Sequence, residues 1–308
     1  MKIAIVECVM KSNSKDAHVR QAEFIRDDFI KLGHTCEILY INTLGKNLNN
    51  KYDVIIKSYS TFYENYKAEL ELYKNNKDNA KFFFITNEYT IQASNVLNKS
   101  AKEGCKWNII ANFNKDKITG KIWYKKFSVN LNCLFYNKKT VKQKKYNVCY
   151  YGTYRKNRRK YFQKYFTSKD FILSTSPKSI KKFIKDGCKF TPCKRFEWNK
   201  ITDTLGLFSF TLYIEDEWIH QNFHNLADRF YEALSNETVI LFDKSCIHTL
   251  QNSELKNENY KDFLIDSYEE ITKRNYNTDL QEQKKWIKII EAEKQKTFKQ
   301  LEEIIIGC

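Results

Sequence analysis

Short apolar runs separated by amphipathic stretches recur in two series along this 308-residue chain, and that alternation most narrows what it can fold into. The runs at 2–6 (Lys-Ile-Ala-Ile-Val), 36–40, 52–56 and 81–86 (Lys-Phe-Phe-Phe-Ile-Thr) have the length of strands buried on both faces. Between the first two, Ala17 to Leu32 carries a helical pattern that Gly33 closes, glycine being the residue that most readily takes the left-handed cap. Strands alternating with helices in this order give right-handed crossovers and a parallel sheet. Runs at 107–111, 127–130 and 133–136 complete the first series, and polar, basic Lys138 to Lys145 reads as a linker. A second series follows at 146–151, 171–173, 208–213 and 238–242. The tail from Leu280 to Ile305, with Trp286, Ile289, Ile290, Phe298, Leu301 and Ile305, reads as a long amphipathic helix. The expected organisation is α/β: a Rossmann-like domain over 1–145, a second over 146–280, and a helix over 281–308 that packs back across both.

Composition supports folded domains. Aromatic residues at 15% and hydrophobic residues at 42% are ample for cores, and 2 Pro with 8 Gly exclude collagen-like or linker-rich architecture. There is no run of 18 or more apolar residues and no signal-peptide layout at the start, so a soluble, intracellular protein is expected. The nine cysteines lack zinc-type spacing and read as reduced thiols in the core. The net charge of +16 is concentrated: Lys117 to Lys169 holds sixteen Lys/Arg and no Asp or Glu, equal to the whole excess. Interleaved with Trp123, Phe127, Tyr150 and Tyr151, that stretch suggests a phosphate-rich partner.

Two constellations carry chemistry. Gly152 follows the run 146–151, where a strand's carboxyl end meets ligands in open α/β sheets, and lets backbone approach a phosphate. Arg155 and Arg159 follow it, expected one helical turn apart on one face; guanidinium forks match diphosphate oxygens and stay charged at cellular pH. Arg229 and Glu232, in Arg-Phe-Tyr-Glu before the run 238–242, sit one turn apart at a helix start. The glutamate can accept both ribose hydroxyls of a nucleotide while the arginine faces its phosphates. Each motif alone also fits a plain basic helix or an i,i+3 surface ion pair.

Together they carry a resemblance. Residues 151–159 (Tyr-Gly-Thr-Tyr-Arg-Lys-Asn-Arg-Arg) are similar to a Gly-Ser-Phe-Arg-x-x-x-Arg segment, and residues 229–243 to an Arg-Val-Trp-Glu…Val-x-Leu-Ile-Asp segment, of the UDP-glucose:DNA β-glucosyltransferases of T-even-type bacteriophages. The opening Met-Lys-Ile-Ala-Ile and its distance to Gly33 agree as well. The resemblance implies a GT-B fold, two Rossmann-like domains with a cleft between them. It implies that Arg155, Arg159 and Arg229 contact the diphosphate of UDP-glucose and that Glu232 binds the ribose. It further implies an inverting transfer of a hexose, glucose by default, to a hydroxymethylated pyrimidine in double-stranded DNA. Electrostatic stabilisation of the departing UDP and a flipped acceptor base would serve that transfer. A divalent cation, Mg or Mn, near the diphosphate is compatible with it, and no protein metal ligand is expected. A monomer in the cytoplasm of a phage's host is the matching expectation, with no membrane partner.

One departure bears on catalysis. The family's base is an Asp after Phe-Thr at the end of the fourth strand; here Phe84-Ile-Thr-Asn87-Glu88 places Asn87 in that position, and an amide cannot take the acceptor's proton. Glu88, one residue on, is the candidate base. Otherwise Glu88 caps a helix and Glu7, Asp16 or Glu23 serves, or the chain is an inactive DNA-binding member. Where the family has a sugar-contacting carboxylate, this chain offers Ala22 flanked by Gln21 and Glu23, so sugar identity is open. His220 and His224 are secondary candidates for the donor loop. The rival enzyme reading is a GT-B glycosyltransferase with a glycan, protein or RNA acceptor.

Overall fold

The computed structural model describes residues 1–7, 17–58, 66–86, 94–112, 116, 118–138, 142–197, 200–216, 219 and 226–307, with backbone alone for 17–20 and 202. The described chain divides into two compact units, one formed by Met1–Phe135 with Gln295–Cys308 and the other by Tyr136–Lys294.

In the first unit the strands are β1 (Lys2–Glu7), β2 (Thr35–Tyr40), β3 (Val54–Ser58), β4 (Lys81–Thr86), β5 (Trp107–Ala111) and β6 (Trp123–Ser128). They form one parallel sheet in the order β2-β1-β3-β4-β5-β6. Helices α1 (Ala17–Lys31), α2 (Ile41–Leu44), α3 (Tyr66–Asn76) and α4 (Asn95–Lys102) lie between them in sequence. The α1 end follows from its glycine. Gly33, at φ +84°, lets His34 N–H reach the Phe29 carbonyl at 3.0 Å and its own N–H reach that of Ile30 at 3.0 Å. Ile3, Ile5, Ile25, Phe29, Ile56, Phe83 and Ile110 pack the core beside this helix.

The second unit has β7 (Tyr146–Tyr151), β8 (Thr167–Ser174), β9 (Lys189–Cys193), β10 (Phe208–Tyr213), β11 (Val239–Asp243) and β12 (Leu264–Ile265). Its order, β12-β11-β10-β7-β8-β9, is all parallel and is the doubly wound 3-2-1-4-5-6 arrangement. The order in which strands are added therefore reverses between β7 and β10, the place where such sheets open a ligand crevice. The helices are α5 (Arg159–Tyr165), α6 (Pro177–Lys185), α7 (Ile201–Leu205), α8 (Asp228–Leu234), α9 (Ile247–Asn252) and α10 (Tyr268–Thr272). The last helix, α11 (Tyr276–Gly307), supplies residues to both units. In the second unit its Gln283 is buried and bonds both the N–H (3.0 Å) and the C=O (2.7 Å) of Ile240 in β11, while Trp286 packs on Phe230, Phe242 and Phe263. In the first unit its Leu301 and Ile305 join the core, and Lys81 Nζ donates to the Ile306 carbonyl at 2.8 Å near the helix end.

The differences from the sequence reading have local causes. The apolar run 133–136 is not a strand: Leu131–Phe135 forms a buried 3₁₀ turn, tied down by the Leu131 N–H donating to Asn112 Oδ1 at 2.8 Å. The last strand of the first sheet lies earlier than 127–130, at Trp123–Ser128, because it is an edge strand whose Tyr124, Lys125 and Lys126 face outward. Lys138–Lys145 falls inside the second unit, whose first residue is Tyr136 rather than Tyr146, and the final helix starts at Tyr276 rather than 281. Edge strands β9, which contains Pro192, and the two-residue β12 lack an apolar run and escape the sequence pattern. No helix among the described residues is long and apolar enough to cross a membrane.

Candidate functional site

The carboxyl ends of β7 and β10 bring the second unit's charged residues together. Gly152 follows β7 with φ +157°, and a Cβ there would lie 3.1 Å from the Tyr150 hydroxyl, so the absent side chain keeps the turn close to the sheet. Arg155 is extended (φ −127°, ψ 130°), Lys156–Arg158 forms a 3₁₀ turn, and α5 begins only at Arg159. The helix expected to carry Arg155 and Arg159 on one face therefore does not include Arg155.

The two arginines diverge accordingly. Arg155 Nη1 pairs with Asp216 Oδ2 at 3.1 Å, whereas Arg159 Nε pairs with Asp186 Oδ1 at 3.1 Å, an acid that also accepts from the Tyr154 hydroxyl at 2.6 Å. Between them in sequence, Arg158 turns inward. Its Nε lies 2.5 Å from Asp216 Oδ1 and its Nη2 2.8 Å from Glu215 Oε2, and Nη1 donates to the Ile214 carbonyl at 3.3 Å. Glu215 and Asp216 follow β10 after Ile214 and are buried. Burial opposes ionisation of Asp216, but hydrogen bonds and charge from Arg158 and Arg155 more than offset it and hold this carboxyl below the usual range.

From α8, Arg229 extends over the ring of Tyr150 (5.6 Å to its centre) and near that of Tyr213 (5.9 Å), donates from Nη1 to the Tyr150 hydroxyl at 3.3 Å, and places Nη2 3.6 Å from Glu215 Oε1. One turn further on, Glu232 is buried and accepts from the Tyr151 hydroxyl at 2.7 Å. Burial and the neighbouring Glu232 charge push Tyr151 well above an ordinary phenol, so it stays protonated and donates. Thus Gly152, Arg155, Arg229 and Glu232 gather at the switch point, and Arg159 points to Asp186.

Sequence reasoning passed over Arg158, Glu215, Asp216 and Tyr151. The available signal was the acidic pair immediately after an apolar run, a position where charge belongs to a site rather than a core. The acid-free stretch from Lys117 to Lys169 is also not acid-free in space: Lys142, Arg155, Arg158, Arg159 and Lys164 pair with Asp203, Asp216, Glu215, Asp186 and Asp243. Among the described residues no group of three or more His, Cys, Asp or Glu is placed to hold a metal ion.

In the first unit, Glu7 ends β1 and is buried, Gln21 and Ala22 are buried on α1, and Glu23 beside them is half-buried. Asn87 and Glu88, the candidates for the base, lie outside the described residues, as do Asp16, His220 and His224.

No family model matches the chain, and no curated protein matches its sequence. Solved structures do match. T4 phage beta-glucosyltransferase in complex with UDP and Mn2+ aligns with a TM-score of 0.71 at 15% identity, over 99% of each chain. The same enzyme in complex with its UDP-glucose substrate gives a TM-score of 0.71 over 99% of each chain. An alpha-glucosyltransferase in complex with UDP-glucose and DNA containing an abasic site aligns with a TM-score of 0.59 at 12% identity, over 96% of this chain and 93% of that one. Two six-stranded parallel sheets, the doubly wound order of the second and this likeness along almost the whole chain establish the GT-B fold, two Rossmann-like units in one polypeptide.

Proposed function

We propose that this protein is a DNA-modifying glycosyltransferase that moves a hexose, glucose from UDP-glucose, to a hydroxymethylated pyrimidine in phage DNA with inversion. The observation that supports this reading is the gathering of Arg155, Arg229 and Glu232 at the switch point of the second sheet, the side-chain types by which a protein can hold the phosphates and ribose of a nucleoside diphosphate. The shared fold with the UDP-glucose-dependent DNA glucosyltransferases supports it.

In this reading Glu232, held by Tyr151, accepts the ribose hydroxyls, and Gly152 lets the backbone approach the phosphates. Arg155 and Arg229 stabilise the negative charge that grows on UDP as the glycosidic bond breaks. Arg159, implied by the resemblance, reaches the diphosphate only by leaving Asp186. Glu215 and Asp216 are engaged by arginines, and among the described residues no group of three or more His, Cys, Asp or Glu is placed to hold a diphosphate-bound Mg or Mn ion. Glu88 takes the proton of the acceptor hydroxyl as it attacks the sugar carbon from the face opposite UDP. Duplex DNA is held through its phosphates, with the target base flipped out, and the enzyme works in the cytoplasm of the infected host.

The test is incubation with labelled UDP-glucose and duplex DNA containing hydroxymethylcytosine or hydroxymethyluracil. Label should enter DNA, and Glu88→Gln should abolish turnover while leaving UDP binding intact. UDP-glucose binding without transfer to either DNA would favour the inactive or non-DNA-acceptor reading; normal turnover by Glu88→Gln would remove Glu88 as base.

A further inference from the structure

The two arginine-bearing segments of the second unit are joined through a side chain that does not reach solvent. Arg158 is 3% exposed, and its planar fork spans two adjacent acids at 2.5 and 2.8 Å. Each acid turns its other oxygen to a different arginine: Asp216 Oδ2 to Arg155 at 3.1 Å, and Glu215 Oε1 to Arg229 at 3.6 Å. Charges thus alternate along Arg155, Asp216, Arg158, Glu215 and Arg229, three positive and two negative, leaving one net positive charge.

The ends of this row differ from its centre. Arg155 has a side chain 57% exposed and Arg229 one 20% exposed, so both can present donors to an anion. Arg158 is too buried to touch a ligand. Glu215 Oε1 is buried with no hydrogen bond, its Arg229 neighbour lying beyond bonding distance, which leaves the Arg229 donors on that side available. Only a guanidinium holds two carboxylates in fixed directions at once; a lysine ammonium is a point charge without that fork. Removing the central cation would leave two adjacent buried acids to repel each other and draw in the outer arginines.

Resting on the donor-site reading above, we infer that Arg158 is a positioning residue for the diphosphate. Through Asp216 and Glu215 it sets where Arg155 and Arg229 present their donors, without itself contacting the nucleotide. The role belongs to the residue before Arg159, whose own side chain is spent on Asp186.

Calorimetric titration with UDP and with UMP, on the full chain and on Arg158→Gln, Arg158→Lys and Asp216→Asn, tests this, with thermal unfolding of each variant alongside. Arg158→Gln should weaken UDP binding about tenfold or more and UMP binding much less, narrowing the preference for UDP, because contacts to the second phosphate are those misplaced. Arg158→Lys should recover only part of that preference. Adding Arg155→Ala to Arg158→Gln should cost less than Arg155→Ala alone, the mark of residues acting as one unit. A folded Arg158→Gln with unchanged UDP preference, or one losing UDP and UMP equally, overturns the inference. Should Arg158→Gln fail to fold, Asp216→Asn carries the same comparison, and an unchanged UDP preference there overturns it too. Absence of UDP binding by the unmutated protein would instead count against the donor-site reading itself.

Discussion

The switch points of the two sheets are built from opposite charge balances. Between β7 and β10 three arginines meet two acids, and the outermost arginine is open to solvent. Between β1 and β3 the described charged residues include Glu7, which ends one strand, and Lys57, near the end of the other, the latter bonded to Glu69 of α3 at 2.5 Å. All three are buried, and Tyr73 also donates to Glu69 at 3.1 Å. One crevice carries a surplus of cations, as the proposed diphosphate site requires. The other carries a surplus of acids among its described residues. Doubly wound geometry alone thus does not assign a role to a crevice; its surplus charge does.

Breaking the buried pair of the first unit should have the largest effect. Lys57→Met removes the cationic partner of the buried Glu69 carboxylate and should lower stability by about 3–5 kcal/mol. Urea unfolding would measure this, while UDP affinity at permissive temperature should hold. Arg229→Ala comes next: loss of a charge-assisted contact should weaken UDP binding by roughly 2–3 kcal/mol in calorimetry with folding retained. Glu232→Gln should cost about 1–2 kcal/mol and erase discrimination between UDP and its 2′,3′-dideoxy analogue, a comparison blind to the phosphates. Gly152→Ala, which crowds the Tyr150 hydroxyl at 3.1 Å in a backbone region unfavourable to alanine, should cost about 1 kcal/mol. Mild acid should do least. Asp216, and Asp243 under its bonds from Lys164, Ser245 and Tyr165, are held below the ordinary carboxyl value against the opposing effect of burial. Their stabilisation is therefore fully present above about pH 4 and lost as pH falls through the lowered values. Thermal unfolding should show a constant contribution from these two acids between pH 7 and 4 and a decline below it, flattened in Asp243→Asn.

What could be read from sequence follows the physics of each segment. Strands β4, β7 and β10 (Lys81–Thr86, Tyr146–Tyr151 and Phe208–Tyr213) were legible to the residue because apolar residues predominate in them and most of their positions are buried on both faces. Edge strand β6 was not, since Tyr124, Lys125 and Lys126 face outward and the nearby apolar run belongs to a 3₁₀ turn. At the site, Gly152, Arg155, Arg229 and Glu232 announced themselves as short motifs. Arg158 did not, because its meaning resides in Glu215 and Asp216, 57 and 58 residues away, and no local pattern encodes that pairing. Arg155 and Arg159 share a segment but not a partner, a divergence decided by where α5 begins.

Helix α11 places Leu301 and Ile305 in a core that also contains Ile3 and Ile5. During synthesis, the first unit's hydrophobic interior consequently stays open while the entire second unit is being made. The ribosome must pass residue 305 before the first sheet acquires its final packing partners. The second unit, continuous from Tyr136 to Lys294, can close beforehand. Birth order and folding order are thus inverted, and the nascent N-terminal sheet is the part most in need of protection from aggregation.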